Sequence, residues 1–210
     1  MHTLTPEQIA AMFAGSRVIA LDIETTGLKK EVDDIIELGM VEFMDGVKTR
    51  GKSALYGGGT SPPRCLEVHG IEDRDREGLK RFGDVAGNLK KYFAHEIPDE
   101  RTSRKIKETI IVGHNIIKFD LPFICAASRA AGHPITARDG YLSVADTYKL
   151  ARQHLSAPDF KLETLCKSYG VEHGGHRGLG DAISSWNILL IIMETTGVKH
   201  ISKLIERYTL

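Results

Sequence analysis

The stretch RVIALDIETTG, residues 17–27, decides the reading of this chain. It opens as a buried strand: Val18, Ile19, Ala20 and Leu21 follow one another without a polar break, and β-branched residues favour extended backbone. It closes on two acids, Asp22 and Glu24, with Ile23 between them. Side chains alternate along a strand, so residues two apart share a face. Like charges that close repel each other, and both resist burial. A metal cation is the natural compensation. Thr25, Thr26 and Gly27 then make a tight exit that offers hydroxyl and backbone N–H groups. ETTG recurs at Glu194–Gly197, behind the apolar run ILLIIM at a helix end. The informative feature is therefore the strand-borne Asp-x-Glu, not the tetrapeptide that begins at its second acid.

Outward from this strand, DIIELGMVEFM (34–44) and VKTRGKSALY (47–56) read as two more strands, joined at the hairpin-turn pair Asp45-Gly46. GGGTSPP (57–63) is a loop, and FGDVAGNLKKYFAHE (82–96) has helical spacing. TIIVGH (109–114) is a short buried strand. Helices follow: FDLPFICAASRAAG up to Gly132, DTYKLARQH capped by Asp146, KLETLCKSYG up to Gly170 and AISSWNILLIIMETTG up to Gly197. A helix within residues 1–15 has Thr5 as N-cap and Pro6 at its first position, and a second terminal helix is expected over 198–210. An antiparallel start followed by β and α units makes an α/β mixed sheet packed by helices. With 210 residues, 41% hydrophobic, one domain spanning 1–210 with its core over 18–195 is the economical reading.

The 28 basic and 28 acidic residues cancel, so no global basic excess announces a nucleic-acid partner. The basic residues of RTSRKIK (Arg101, Arg104, Lys105 and Lys107) read first as solvated surface and second as a phosphate-tracking segment. Cys65, Cys125 and Cys166 form no CxxC pair and read as core residues of a reducing compartment. The N-terminus lacks a signal-peptide pattern, and no apolar run approaches the roughly 20 residues of a membrane span. The expectation is a cytoplasmic chain with no membrane partner.

Two further acids stand out. In GHNIIKFDLPF (113–123), Asp120 is the one carboxylate between Ile110 and Arg138, placed where a strand has ended and a helix begins. It reads either as a helix cap or as a functional group. In GGHRGLGDA (174–182), His176 and Asp181 lie on a glycine-rich approach to a helix. A capping Asp and a surface His are the plain alternative, and the glycines suggest a backbone free to move His176.

Taken in order, the strand-borne DIETTG, VHGI at 68–71, HN followed by FD, and His-x4-Asp resemble the DEDDh branch of the DnaQ-like 3′–5′ exonucleases. This family includes the proofreading epsilon subunit of DNA polymerase III, RNase T and the TREX nucleases. The resemblance runs from Val18 to about Leu190. It implies an RNase H-like fold with a five-stranded mixed sheet flanked by helices. It also implies that Asp22, Glu24, Asp120 and Asp181 hold two divalent cations, Mg²⁺ or Mn²⁺, with His176 as the motile base. The tyrosine branch carries Tyr four residues before the last Asp, where this chain has Arg177. The commonest second motif has two residues between Asn and Phe, whereas three separate Asn115 from Phe119.

The implied reaction releases nucleoside 5′-monophosphates from the 3′ end of single-stranded DNA or RNA, with a polymerase as a further partner. Thr25, Thr26, Gly27, His69, Gly70, Ile71, Asn115 and Phe119 are the implied substrate contacts; Phe119 reads either as a surface on which a base stacks or as a core residue beneath the site. Carboxylates suit hard cations, and an imidazole exchanges protons near neutral pH. Asp146 reads as N-cap and support for the site rather than as a ligand.

Three other readings are weighed. A catalytically silent binding module would keep the fold. GVKTRGKS, Gly46–Ser53, fits the P-loop pattern letter for letter, but ALYGGGTSPP behind it cannot start a useful helix. Zinc hydrolysis through His173 and His176 would rest on a glycine-rich loop rather than a rigid helix.

Overall fold

The computed structural model describes residues 2–93, 108–136 and 140–210. The segment 98–107, with its four basic residues, falls outside the described residues. Among the described residues, six strands form one mixed sheet: β1 Ser16–Thr25, β2 Ile35–Met44, β3 Val47–Leu55, β4 Glu108–Gly113, β5 Tyr141–Asp146 and β6 Glu206–Thr209. Their order across the sheet is β3-β2-β1-β4-β5-β6. β1 is antiparallel to β2 and parallel to β4, so it lies at the centre.

Alternation along β1 divides the core. Val18 and Ala20 pack under α7 (Gly178–Thr196), together with α1 (Pro6–Met12), α5 (Thr147–His154) and α6 (Leu162–Tyr169). Ile19, Leu21 and Ile23 pack on the opposite face, under α3 (Phe82–Phe93) and α4 (Asp120–Ala130). The same parity puts Asp22 and Glu24 on the α7 face, where the apolar layer runs out. α1 begins with a reciprocal capping box between Thr5 and Gln8.

The sequence expectations need two corrections here. The sheet has six strands rather than five, and residues 198–210 do not form a helix. A short 3-10 turn at Ile201–Lys203 leads into β6, which pairs antiparallel with β5. Leu204 and Ile205 reach one core and Tyr208 and Leu210 the other. A strand at the sheet's edge can serve both faces, and it also pairs the open backbone of β5. The P-loop reading fails as well. Asp45 and Gly46 turn with positive φ, and Val47–Leu55 continues as an edge strand with no helix behind it. All three cysteines are unpaired; Cys166 is buried and the others half-buried. Among the described residues, no helix is long and apolar enough to cross a membrane.

Candidate active site

The acids meet at the C-terminal end of β1. α7 approaches there because two glycines let it. Gly39 stands opposite Asp22 in the β1–β2 register, and a Cβ on it would lie 2.0 Å from the Gly178 carbonyl carbon. No side chain fits between β2 and the first turn of α7, so that turn rests directly on the strand and presents Asp181 to Asp22 and Glu24. One carboxylate oxygen from each of these three acids lies within 4.8 Å of the others.

Asp181 is neither the N-cap of α7 nor exposed. The cap is Arg177, and Asp181 is 4% exposed. Its Oδ1 is buried with no hydrogen-bond partner, a costly state for a carboxylate. Asp120 is not a cap either: it is the first residue of α4, buried, and its Oδ1 accepts from Ile23 N at 3.1 Å. Its carboxylate therefore sits against β1 beside Asp22, outside the group of three.

The electrostatics follow. Burial, then the charges of Asp120, Glu24 and Asp181, push Asp22 well above the usual carboxylate range. Burial and Asp181 push Glu24 up to about 8. Burial pushes Asp120 up to about 7, against the Ile23 N–H, which favours its charge. Burial raises Asp181 as well, with His173 and His176 opposing. Carboxyls that resist ionisation together are the donor set a hard cation would relieve.

The sequence reading missed Glu37. It lies directly across from Glu24 in the β1–β2 register and is 1% exposed. Arg177 donates to it twice, from Nε at 3.0 Å and Nη2 at 3.2 Å, and Gly178 N donates at 3.2 Å. Burial works to raise its pKa, but these bonds and one from Ser53 prevail and hold it below the usual range. Glu37 thus ties the start of α7 to β2. An acid of the same strand parity as Gly39, Val41 and Phe43 was the available signal.

His176 is half-exposed, in the left-handed region at φ 57°, with Nδ1 4.0 Å from Asp181 Oδ2. The surrounding glycines are mostly a packing device: a Cβ on Gly174 would lie 2.2 Å from Asp181 N. Gly175 alone combines a positive φ with open space, and it precedes His176.

The other expected residues divide. Thr25 and Thr26 are buried; Thr25 Oγ1 donates to Gly27 O at 2.5 Å and Thr26 Oγ1 accepts from Asp34 N at 2.9 Å. Both hydroxyls are engaged in folding the strand exit. His69 ends α2 (Pro63–His69), with Gly70 as its left-handed cap and Ile71 buried. Its Nδ1 accepts from Ile71 N, which leaves Nε2 buried without a partner. Phe119 packs on Phe123, ring centroids 5.0 Å apart. Asn115, at φ 61°, donates its backbone N–H to Asp146. His114 bridges Thr147 and the Phe160 carbonyl. Asp146 accepts from the backbone N–H groups of Asn115, Ile117, Tyr148 and Lys149, so it serves as cap and brace.

Known proteins resemble this chain in sequence and in fold. The family model described as Exonuclease matches residues 19–189. The chain belongs to the exonuclease family, in its DnaQ-like 3′–5′ branch. It is 31% identical over 169 residues to the DNA polymerase III subunit epsilon of Treponema pallidum, covering 78% of this chain and 70% of that protein. To the epsilon subunit of Buchnera aphidicola it is 30% identical over 174 residues, 80% of this chain and 67% of that one. Among solved structures, E. coli Exonuclease I in complex with a dT13 oligonucleotide superposes with TM-score 0.71 at 16% identity, over 87% of this chain. This exonuclease chain spans 42% of Exonuclease I, and the likeness there is one of fold.

Proposed function

We propose that this exonuclease removes nucleotides from the 3′ end of single-stranded DNA or RNA, with Asp22, Glu24, Asp120 and Asp181 holding two divalent cations of the Mg²⁺ or Mn²⁺ type. The observation that carries the reading is the grouping of Asp22, Glu24 and Asp181 within 4.8 Å, the first two half-buried and the third buried, all three resisting their charge, with one Asp181 oxygen unpartnered. Such cations, when bound, neutralise the phosphodiester and the charge that develops on the departing 3′ oxygen.

The chain's own residues do the rest. Asp181, facing Nδ1 of His176, orients the imidazole, so that Nε2 takes the proton of the attacking water. The water oxygen bonds to the terminal phosphorus as the P–O3′ bond breaks, which yields a nucleoside 5′-monophosphate and a shortened strand. Glu37 and Arg177 keep His176 and Asp181 in register with β1. The unmet His69 Nε2 is a ready donor for the terminal nucleotide. The cytoplasmic setting expected from the sequence is part of this proposal.

A time course on 5′-labelled single-stranded DNA and RNA with Mg²⁺, Mn²⁺ or EDTA tests this. The expected result is a ladder shortening from the 3′ end that EDTA abolishes. Folded protein that shortens neither strand with metal present would overturn the reading in favour of a silent binding module.

A further inference from the structure

We propose that His173, His176 and Asp181 form a second cation site, built on imidazoles, that takes a zinc-class divalent ion and thereby withdraws His176 from catalysis. The regulatory half of this proposal rests on the base role given to His176 above; the site itself does not.

One donor atom from each of the three residues lies within 4.8 Å of the others. His173 Nε2 is 3.4 Å from Asp181 Oδ1, and His176 Nδ1 is 4.0 Å from Asp181 Oδ2. A tetrahedral ion with nitrogen and oxygen donors at about 2.0–2.2 Å sets them roughly 3.4 Å apart. The first pair, on Oδ1, already meets that spacing; the second, on Oδ2, closes to it by a small turn of a half-exposed ring, so the two imidazoles approach the two oxygens of one carboxylate. The two imidazoles stand edge to face, centroids 5.1 Å apart, an arrangement that directs two ring nitrogens at one carboxylate. The second observation is the buried Asp181 Oδ1, which lacks a well-formed hydrogen bond and has His173 Nε2 as a long neighbour at 3.4 Å.

The loop is also firmer than its glycines suggest. Ser184 of α7 accepts from Gly174 N at 3.1 Å and reaches the Glu172 carbonyl at 3.0 Å, pinning the backbone on both sides of His173. Loading has an identifiable cost. His173 Nδ1 now accepts from Gly175 N at 3.1 Å, and ligation through Nε2 shifts the ring proton to Nδ1, releasing that exposed N–H to water. Two imidazoles and one carboxylate prefer zinc-class ions, whereas the all-carboxylate group of Asp22, Glu24 and Asp181 prefers Mg²⁺. Asp181 belongs to both sets, so the sites compete for one residue.

The test uses the full chain with Mg²⁺ in excess. Co²⁺ is titrated in as a spectroscopic probe and then displaced by Zn²⁺. The site predicts intense visible bands of four-coordinate cobalt, bleached by one equivalent of Zn²⁺. His173→Gln and His176→Ala should each weaken Zn²⁺ binding at least about tenfold, while Mn²⁺ affinity of His173→Gln stays within about twofold. In the hydrolysis assay, His173→Gln should keep its Mg²⁺-dependent rate and need at least about tenfold more Zn²⁺ for half-inhibition. Zn²⁺ affinity unchanged in His173→Gln overturns the site. A chain that binds Zn²⁺ through His173 yet hydrolyses nothing supports the site and removes the base role of His176.

Discussion

At Glu24–Gly27 the tetrapeptide ETTG leaves the end of a strand; at Glu194–Gly197 the same four residues close a helix. In the first copy Glu24 faces Asp181, Glu37 and Asp120, and burial with their charges pushes it up to about 8. In the second, Glu194 accepts from Thr3 N at 2.9 Å, and the Thr3 bonds hold it below the usual range. Gly27 stands against the Asp33 carboxylate, whereas Gly197 takes the left-handed cap with open space around it. One carboxyl resists its charge and the other is welcomed into it, and the surroundings alone make the difference.

Activity should separate the two copies most. Glu24→Gln should lower the hydrolysis rate on 5′-labelled single strands by about a thousandfold or more, and Glu194→Gln by less than about twofold. Equal effects would remove Glu24 from the site. Metal affinity comes next, through a second pair of like residues. Asp181 has an unpartnered oxygen, while Asp146 is satisfied by backbone N–H groups. Asp181→Asn should weaken Mn²⁺ binding by about tenfold or more and Asp146→Asn by less than about threefold. Calorimetric titration reads both, and the reverse order would make Asp146 the ligand.

Stability separates the two ends of α7. Gly39→Ala forces β2 and the helix start apart and should cost about 3 kcal/mol in denaturant unfolding, with activity falling alongside. Gly197→Ala strains only a cap and should cost about 1 kcal/mol. The smallest effect is the pH dependence of the metal-free protein. Raised carboxyls hold more protons folded than unfolded, so the stability that these groups contribute is full below about pH 4 and is lost up to about pH 8, the window between the unfolded value and that of Glu24. Each extra proton held tilts the curve by about 1.4 kcal/mol per pH unit. Melting temperatures across this window should fall, less steeply in Glu24→Gln, unchanged in slope in Glu194→Gln, and hardly at all with saturating Mn²⁺.

Much of the candidate site is legible in the sequence because its residues break local patterns. Two acids of one parity on an apolar strand signal a compensating charge before any fold is known, and Asp120 lacks a nearby rival. Glu37 was not legible as a partner of Arg177, since 140 residues separate them and only the β1–β2 register and the seat of α7 join them. β5 was hidden in the approach to Asp146, whose capping role drew the reading to the helix behind it. β6 was misread because Ile201, Leu204 and Ile205 have helical spacing, and only an open edge on β5 makes a strand the better use of the segment.

The strand parity of Asp22 and Glu24, the hairpin at Asp45-Gly46, the caps at Thr5 and Asp146 and the helix stops at Gly170 and Gly197 are written in the chain itself. These are local choices of backbone angle, alternation and nearby hydrogen bonds. That Gly39 and Gly178 touch, that Asp181 lands beside β1 with an oxygen left over, and that His173 shares that carboxylate with His176 come from the folded chain alone. Those outcomes depend on which elements pack together, and the packing of α7 on the sheet is fixed by the whole core rather than by any stretch of the chain.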